Sequence, residues 1–224
     1  KPKNVENVFC WKDLNNLSKK YNYPFLNFTK VQECFDTLKE YKPDYLFVVG
    51  LSQIIPKHII DISKYGSIGF HPTALPKGRG RAPIAWLVLE ENKGAASFFL
   101  LESGIDSGPI IKQVKFRITN NDDAESVMHK MLEAEKQALD SLLPEIKNSK
   151  IKSIKQDFKS ASWFGKRNPE DGLIDWKEDA IKIDKLIRAS TYPHPGAFTF
   201  YGHEKLKILK AEKTYAPIKG VIGR

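Results

Sequence analysis

Asp44-Tyr45-Leu46-Phe47-Val48-Val49-Gly50 is a short apolar run, β-branched and aromatic, that ends on glycine. Such a run predicts a buried strand. Before it, Val31, Cys34, Phe35 and Leu38 fall at helical spacing and predict a helix over residues 30–41. After it, Ile54, Ile55, His58, Ile59 and Ile62 repeat that spacing and predict a helix over residues 51–63. Gly66-Ser67-Ile68-Gly69-Phe70 then predicts another strand. This alternation is the mark of an α/β fold, a Rossmann-like parallel sheet with helices on both faces. Ligands bind such sheets beyond the carboxyl ends of the strands, and His71 falls there.

Further along, Pro83 suits the first turn of a helix over residues 83–91. Strands are predicted at 95–101 and 110–118, and a long helix at 122–146, with Thr119 and Asn121 as candidate caps. Its stripe of Val127, Met131, Leu132, Leu139, Leu142 and Leu143 would close the core, and Met128 and Met131 read as packing. Composition changes at Asn148-Ser149-Lys150, which divides a first domain (1–148) from a small β-rich domain (151–224). That second part carries β-like pieces at 154–164 and 197–209 around a helix at 179–189.

With 224 residues the chain can bury a sizeable core, and 41% hydrophobic with 28% charged residues is ordinary for a globular protein. No apolar run approaches the roughly 20 residues of a membrane span, and Lys1-Pro2-Lys3-Asn4 does not open a secretory signal. A cytoplasmic location is expected. Cys10 and Cys34 have no close Cys or His partner, so no metal site is expected. Two free thiols are the simpler reading, and a disulfide between them stays open. The net charge of +9 is scattered, with one tight basic cluster at Lys77-Gly78-Arg79-Gly80-Arg81; it favours an anionic substrate without naming one. No G-x-G-x-x-G follows a strand, which argues against a dinucleotide site of that type.

Two loops could carry chemistry. In Gly69-Phe70-His71-Pro72-Thr73-Ala74-Leu75-Pro76-Lys77-Gly78-Arg79-Gly80-Arg81, the histidine ends a strand and the prolines stiffen the loop beyond it. The glycines let backbone approach a ligand closely. The second loop, Glu102-Ser103-Gly104-Ile105-Asp106-Ser107-Gly108-Pro109, would pass for a plain turn on composition. Its pairing with the histidine loop is what singles out Asp106.

These segments resemble the formyltransferases that use 10-formyltetrahydrofolate, a family that includes glycinamide ribonucleotide, methionyl-tRNA and amino-sugar nucleotide members. The resemblance rests on His71-Pro72-Thr73-Ala74-Leu75-Pro76, on Arg79-Gly80-Arg81-Ala82-Pro83, and on Ile105-Asp106-Ser107-Gly108-Pro109-Ile110. In the second domain it rests on residues 164–171, Asp175-Trp176 and Pro193-His194-Pro195-Gly196-Ala197-Phe198. It departs from the family at Gly69, where the family places a catalytic asparagine. The histidine motif also arrives early, so the first strand and helix of the fold are expected to be missing. The end at residues 220–224 is expected to fall short within the small domain.

The resemblance implies attack of an amine on a formyl carbon, with negative charge gathering on the formyl oxygen. It assigns His71 as donor to that oxygen, and Asp106 to orient the imidazole and help carry the amine's proton. It places the folate near Val48, Val49, Gly50, Leu51, Ile54 and Ile55 and against Ile105. With the asparagine replaced, the Thr73 hydroxyl or a backbone N–H would stand in at the oxyanion. Arg79 and Arg81 suit the diphosphate of a nucleotide sugar, because guanidinium binds phosphate bidentately. An amino-sugar nucleotide is therefore the expected acceptor. Methionyl-tRNA and a catalytically weakened binding relative are the alternatives, and a homodimer through the second domain is a further expectation.

Overall fold

In the computed structural model of the chain, which describes residues 13–51, 53–90, 93–148, 151–214 and 220, the apolar run becomes strand β1 (Leu46–Val48). Two helices precede it, α1 (Asn15–Tyr21) and, after a 3₁₀ turn at Val31–Cys34, α2 (Phe35–Tyr41). The helix expected over 51–63 shrinks to one turn, α3 (Lys57–Ile60), entered from Pro56. Proline has no N–H to give and disfavours a helical residue before it, so the isoleucine periodicity could not extend through it. Cys10 lies outside the described residues, and Cys34 is a buried free thiol.

Strand β2 (Ser67–His71) pairs in parallel with β1, Val48 opposite Gly69. A two-residue strand β3 (Arg79–Gly80) and helix α4 (Pro83–Glu90) follow, then β4 (Lys93–Leu100) and β5 (Ile110–Arg117). The sheet order is β1-β2-β4-β5. Only its first pair is parallel, since β4 runs antiparallel to both β2 and β5. The turn joining β4 to β5 is too short for a crossover, so those two must be antiparallel. The stretch from β2 to β4 would have allowed one. Instead α4 packs against α5 (Ala124–Lys147) and α6 (Ala180–Ser190), and the chain re-enters the sheet from the other end.

Helix α5 lies across β4 and β5 and closes the core. Its buried residues are Ala124, Val127, Met128, Met131, Ala134, Ala138 and Leu142, whereas Leu132 and Leu143 of the expected stripe face outward. The alanines let the helix sit close to Phe98 and Ile68 of the sheet. The cap is Asp123, reciprocated by Ser126, in place of Thr119 or Asn121. The second part is a hairpin of β7 (Ala197–Tyr201) and β8 (Glu204–Ile208) packed on α6 through Ile174, Ile187 and Ala197. Residues 154–164, expected with it, run along the first part. Ile154 bridges Ile110, and β6 (Trp163–Phe164) pairs with β3.

The join between α5 and α6 carries a pH-sensitive group. Arg188 of α6 donates to the carbonyl of Asp122. Burial would raise the Asp122 carboxyl, but hydrogen bonds from Lys130, Thr119 N–H and hydroxyl, and Ser126 hold it down at about 2. A depressed carboxyl stabilises the fold above its unfolded value near 3.8 and loses that contribution as pH falls towards about 2. Asp122→Asn is therefore expected to cost roughly 2 kcal/mol at pH 6. The deficit should narrow at pH 3, read by urea denaturation at both values. An equal deficit at both would remove the titration from the account.

Candidate active site

His71 ends β2 at the carboxyl edge of the sheet, buried to 6% exposure. Its Nε2 lies 2.8 Å from the carbonyl of Gly78. A carbonyl only accepts, so Nε2 carries a hydrogen and Nδ1 is the nitrogen left for chemistry. That Nδ1 lies 3.6 Å from Asp106 Oδ2, longer than a hydrogen bond but close enough for the carboxylate to act on the ring. Asp106 has a left-handed backbone (φ 48), which aspartate tolerates better than most residues. Its Oδ2 accepts from the Gly80 N–H at 2.8 Å. The two loops singled out in the sequence thus meet at one carboxylate.

The histidine loop is held from outside. Gly78 N–H donates to Ser162 Oγ (2.9 Å), Arg79 N–H to Ser162 O (2.9 Å), and Arg81 N–H to Phe164 O (3.1 Å). Gly80 (φ +109) makes this pairing possible, because a Cβ there would lie 2.5 Å from Phe164 O. Trp86 adds a stack on Phe164 at 5.8 Å and donates its indole N–H to Gly165 O.

The remaining expected site residues divide. Thr73 is buried, and its hydroxyl donates to Lys77 O at 2.8 Å, so it shapes the loop rather than offering a donor to an oxyanion. Arg79 is 1% exposed and turned inward. Its Nε and Nη2 donate to Gln156 Oε1 at 3.2 and 2.7 Å, and its guanidinium stacks on Phe158 at 4.6 Å. Burial lowers its pKa, which the Asp106 carboxylate opposes. The geometry therefore makes Arg79 a support of the loop, whereas Arg81 is exposed. Gln156 is missed by sequence reasoning because nothing local marks it; its partners lie 77 and 50 residues away.

Val49, Gly50, Ile54 and Ile105 are exposed, with Val48 and Leu51 partly covered. Val48 sits beside Gly69 on the neighbouring strand, and Ile105 adjoins Asp106. Ile54 at 89% and Ile105 at 65% exposure leave apolar side chains open to solvent. At Gly69 a Cβ would meet Leu101 Cδ2 at 2.7 Å and Phe99 Cζ at 2.9 Å. Leu101 and Phe99 thus fill the space that an asparagine side chain would need to leave the strand.

Two surface cavities of about 280 and 340 Å³ are lined around Lys185 and Arg188 and around Phe116 and His129; neither includes His71 or Asp106. Among the described residues no cluster of His, Cys, Asp or Glu is placed to hold a metal ion, and no helix is long and apolar enough to cross a membrane.

Known proteins share this fold. The fold overlays on methionyl-tRNA formyltransferase from Clostridium thermocellum at a TM-score of 0.70, with 27% identity over 96% of this chain and 92% of that one. It overlays on an N-formyltransferase from Helicobacter canadensis, in complex with folinic acid and dTDP-3-aminofucose, at 0.72, with 22% identity over 93% of this chain and 74% of that one. WlaRD, a sugar 3N-formyl transferase, gives 0.71 with 23% identity over 93% and 72%. The formyl transferase family model matches residues 19–143, and the model of the formyl transferase C-terminal domain matches residues 166–223. The chain that brings His71 and Asp106 together at the end of this sheet belongs to the formyl transferase family.

Proposed function

We propose that this protein transfers the formyl group of 10-formyltetrahydrofolate to the primary amine of an amino-sugar nucleotide. The observation that supports the reaction is the pair of buried His71 and half-buried Asp106, with one imidazole nitrogen anchored on Gly78 O and the other left beside the carboxylate. Formyl transfer forms a bond from the amine nitrogen to the formyl carbon and breaks the bond from that carbon to the folate nitrogen. One proton leaves the amine and one arrives on the folate nitrogen. The folate supplies an activated formyl carbon when bound.

The chain's own groups handle charge and proton. Protonated at Nδ1, His71 donates to the formyl oxygen as negative charge builds there, and a preorganised donor of this kind contributes about 3–4 kcal/mol. Asp106 sets its carboxylate beside that ring, 3.6 Å from Nδ1, and is the nearest base for the amine's proton. Val49, Ile54 and Ile105 supply the apolar border for the pterin. The exposed Arg81, next to Gly80, supports a phosphate-bearing acceptor.

Methionyl-tRNA is the second reading, favoured by the 27% identity to methionyl-tRNA formyltransferase over nearly the whole of both chains. Salt separates the two. We expect turnover of 10-formyltetrahydrofolate with an amino-sugar nucleotide such as dTDP-3-aminofucose, with KM changing less than about tenfold between 50 and 200 mM salt. A tRNA acceptor engaging many phosphates would lose roughly 10³–10⁵ in affinity over that range. Turnover with methionyl-tRNA alone would replace the acceptor. Folate binding without transfer to any amine would overturn the enzymatic reading.

A further inference from the structure

Resting on that reading of Asp106, we propose that Gln156 is a positioning residue for formyl transfer, fixing the backbone that aims the Asp106 carboxylate. Gln156 is 7% exposed and comes from the segment that joins the two parts of the chain, not from either catalytic loop. Its Nε2 donates to the carbonyls of Asp106 at 2.8 Å and Gly108 at 2.7 Å. Its Oε1 accepts from both Nε and Nη2 of Arg79. Two donors and two lone pairs make up the full capacity of the amide, and all are used.

The orientation of that amide is dictated by its partners. Arginine can only donate, so the oxygen faces it; carbonyls can only accept, so the nitrogen faces them. Arg79 is in turn enclosed by Phe158 and Trp163, with ring centres at 4.6 and 5.7 Å. Asp106 occupies a left-handed conformation that persists only where its surroundings over-determine it. Gln156 ties down the carbonyls of Asp106 and of Gly108, two residues on, and the Asp106 side chain is the one that meets Gly80 N–H and faces His71 Nδ1. Arg79 and Gln156 therefore form a buried brace that carries rigidity from the joining segment to the carboxylate.

Gln156→Glu tests this, because it keeps the volume and the acceptor for Arg79 while setting a carboxylate oxygen against two carbonyl oxygens. With 10-formyltetrahydrofolate and dTDP-3-aminofucose, or methionyl-tRNA if that is the acceptor turned over, kcat is expected to fall tenfold or more. KM for both substrates should stay within about threefold. The double variant Gln156→Glu/Asp106→Asn should be no slower than Asp106→Asn alone within about twofold, because residues acting through one group are not additive. If Gln156→Glu does not fold, Gln156→Met is expected to show the same loss and the same non-additivity. A kcat within twofold of the parent, or losses that multiply in the double variant, would overturn the positioning role while leaving Asp106 in place. An Asp106→Asn variant with unchanged kcat would overturn both.

Discussion

His71→Gln is expected to lower kcat for formyl transfer by roughly 10²–10⁴-fold while the thermal transition stays within a few degrees of the parent. The size of the loss reflects the work of the side chain. Nε2 is engaged with Gly78 O at 2.8 Å, so in the proposed reaction Nδ1, 3.6 Å from Asp106 Oδ2, is the nitrogen left to meet the formyl oxygen. Glutamine, whose amide nitrogen reaches as far along the side chain as Nε2, can still donate one hydrogen to Gly78 O and so keep the loop in place, but it cannot give up or take a proton. The replacement therefore separates the chemistry from the scaffold. Initial rates at saturating donor, together with a melting curve, decide it. A kcat within threefold of the parent would remove His71 from the reaction and place the proton transfer on Asp106 alone.

Phe98→Ala is expected to destabilise the protein by about 3–5 kcal/mol, the range for emptying a buried aromatic site. At this chain length that lowers Tm by roughly 6–20 °C. Phe98 has no exposed surface, lies opposite Phe70 on β2 and Lys112 on β5, and packs on Phe70 in a tilted pair with ring centres 5.1 Å apart. Below it the helix offers Ala134 and Ala138, small residues that cannot reach up to fill the space, beside an already buried Leu142. The β4 register also shifts between Phe98 and Phe99, so the strand that loses its anchor is the one leading to the Asp106 loop. Kinetics on the folded fraction at low temperature should show kcat falling less than stability does. A transition moved by under about 3 °C would mean that the sheet and α5 close over the gap.

Two departures from the expected site share one cause. Arg79 suits a phosphate on sequence grounds because a sequence shows that an arginine is present in a basic, glycine-rich loop, and says nothing of which way it points. The side chain turns inward because the parallel pairing of β3 with β6 leaves Gln156, Phe158 and Trp163 around it. Thr73 is a candidate donor by position, yet its hydroxyl closes the loop on Lys77 O, a bond between residues four apart. That bond belongs to the loop's fold, which composition alone does not determine.

Local chemistry was legible from the residues themselves. A β-branched run ended by glycine and a histidine at a strand end followed by prolines are short-range patterns with short-range causes, and they located β1, β2 and the place of His71, whereas the turn that holds Asp106 stood out only through its pairing with the histidine loop. The long helix was legible for the same reason, since periodicity over 24 residues outweighs uncertainty at its cap. Tertiary structure decided the direction of β4, because α4 packs on α5 and α6 instead of returning over the sheet. It decided the inward turn of Arg79 and the part played by Gln156, whose hydrogen bonds span 48 to 77 residues. Sequence patterns report what neighbours along the chain do together. Which distant groups share a buried hydrogen bond is settled only when packing removes water from both.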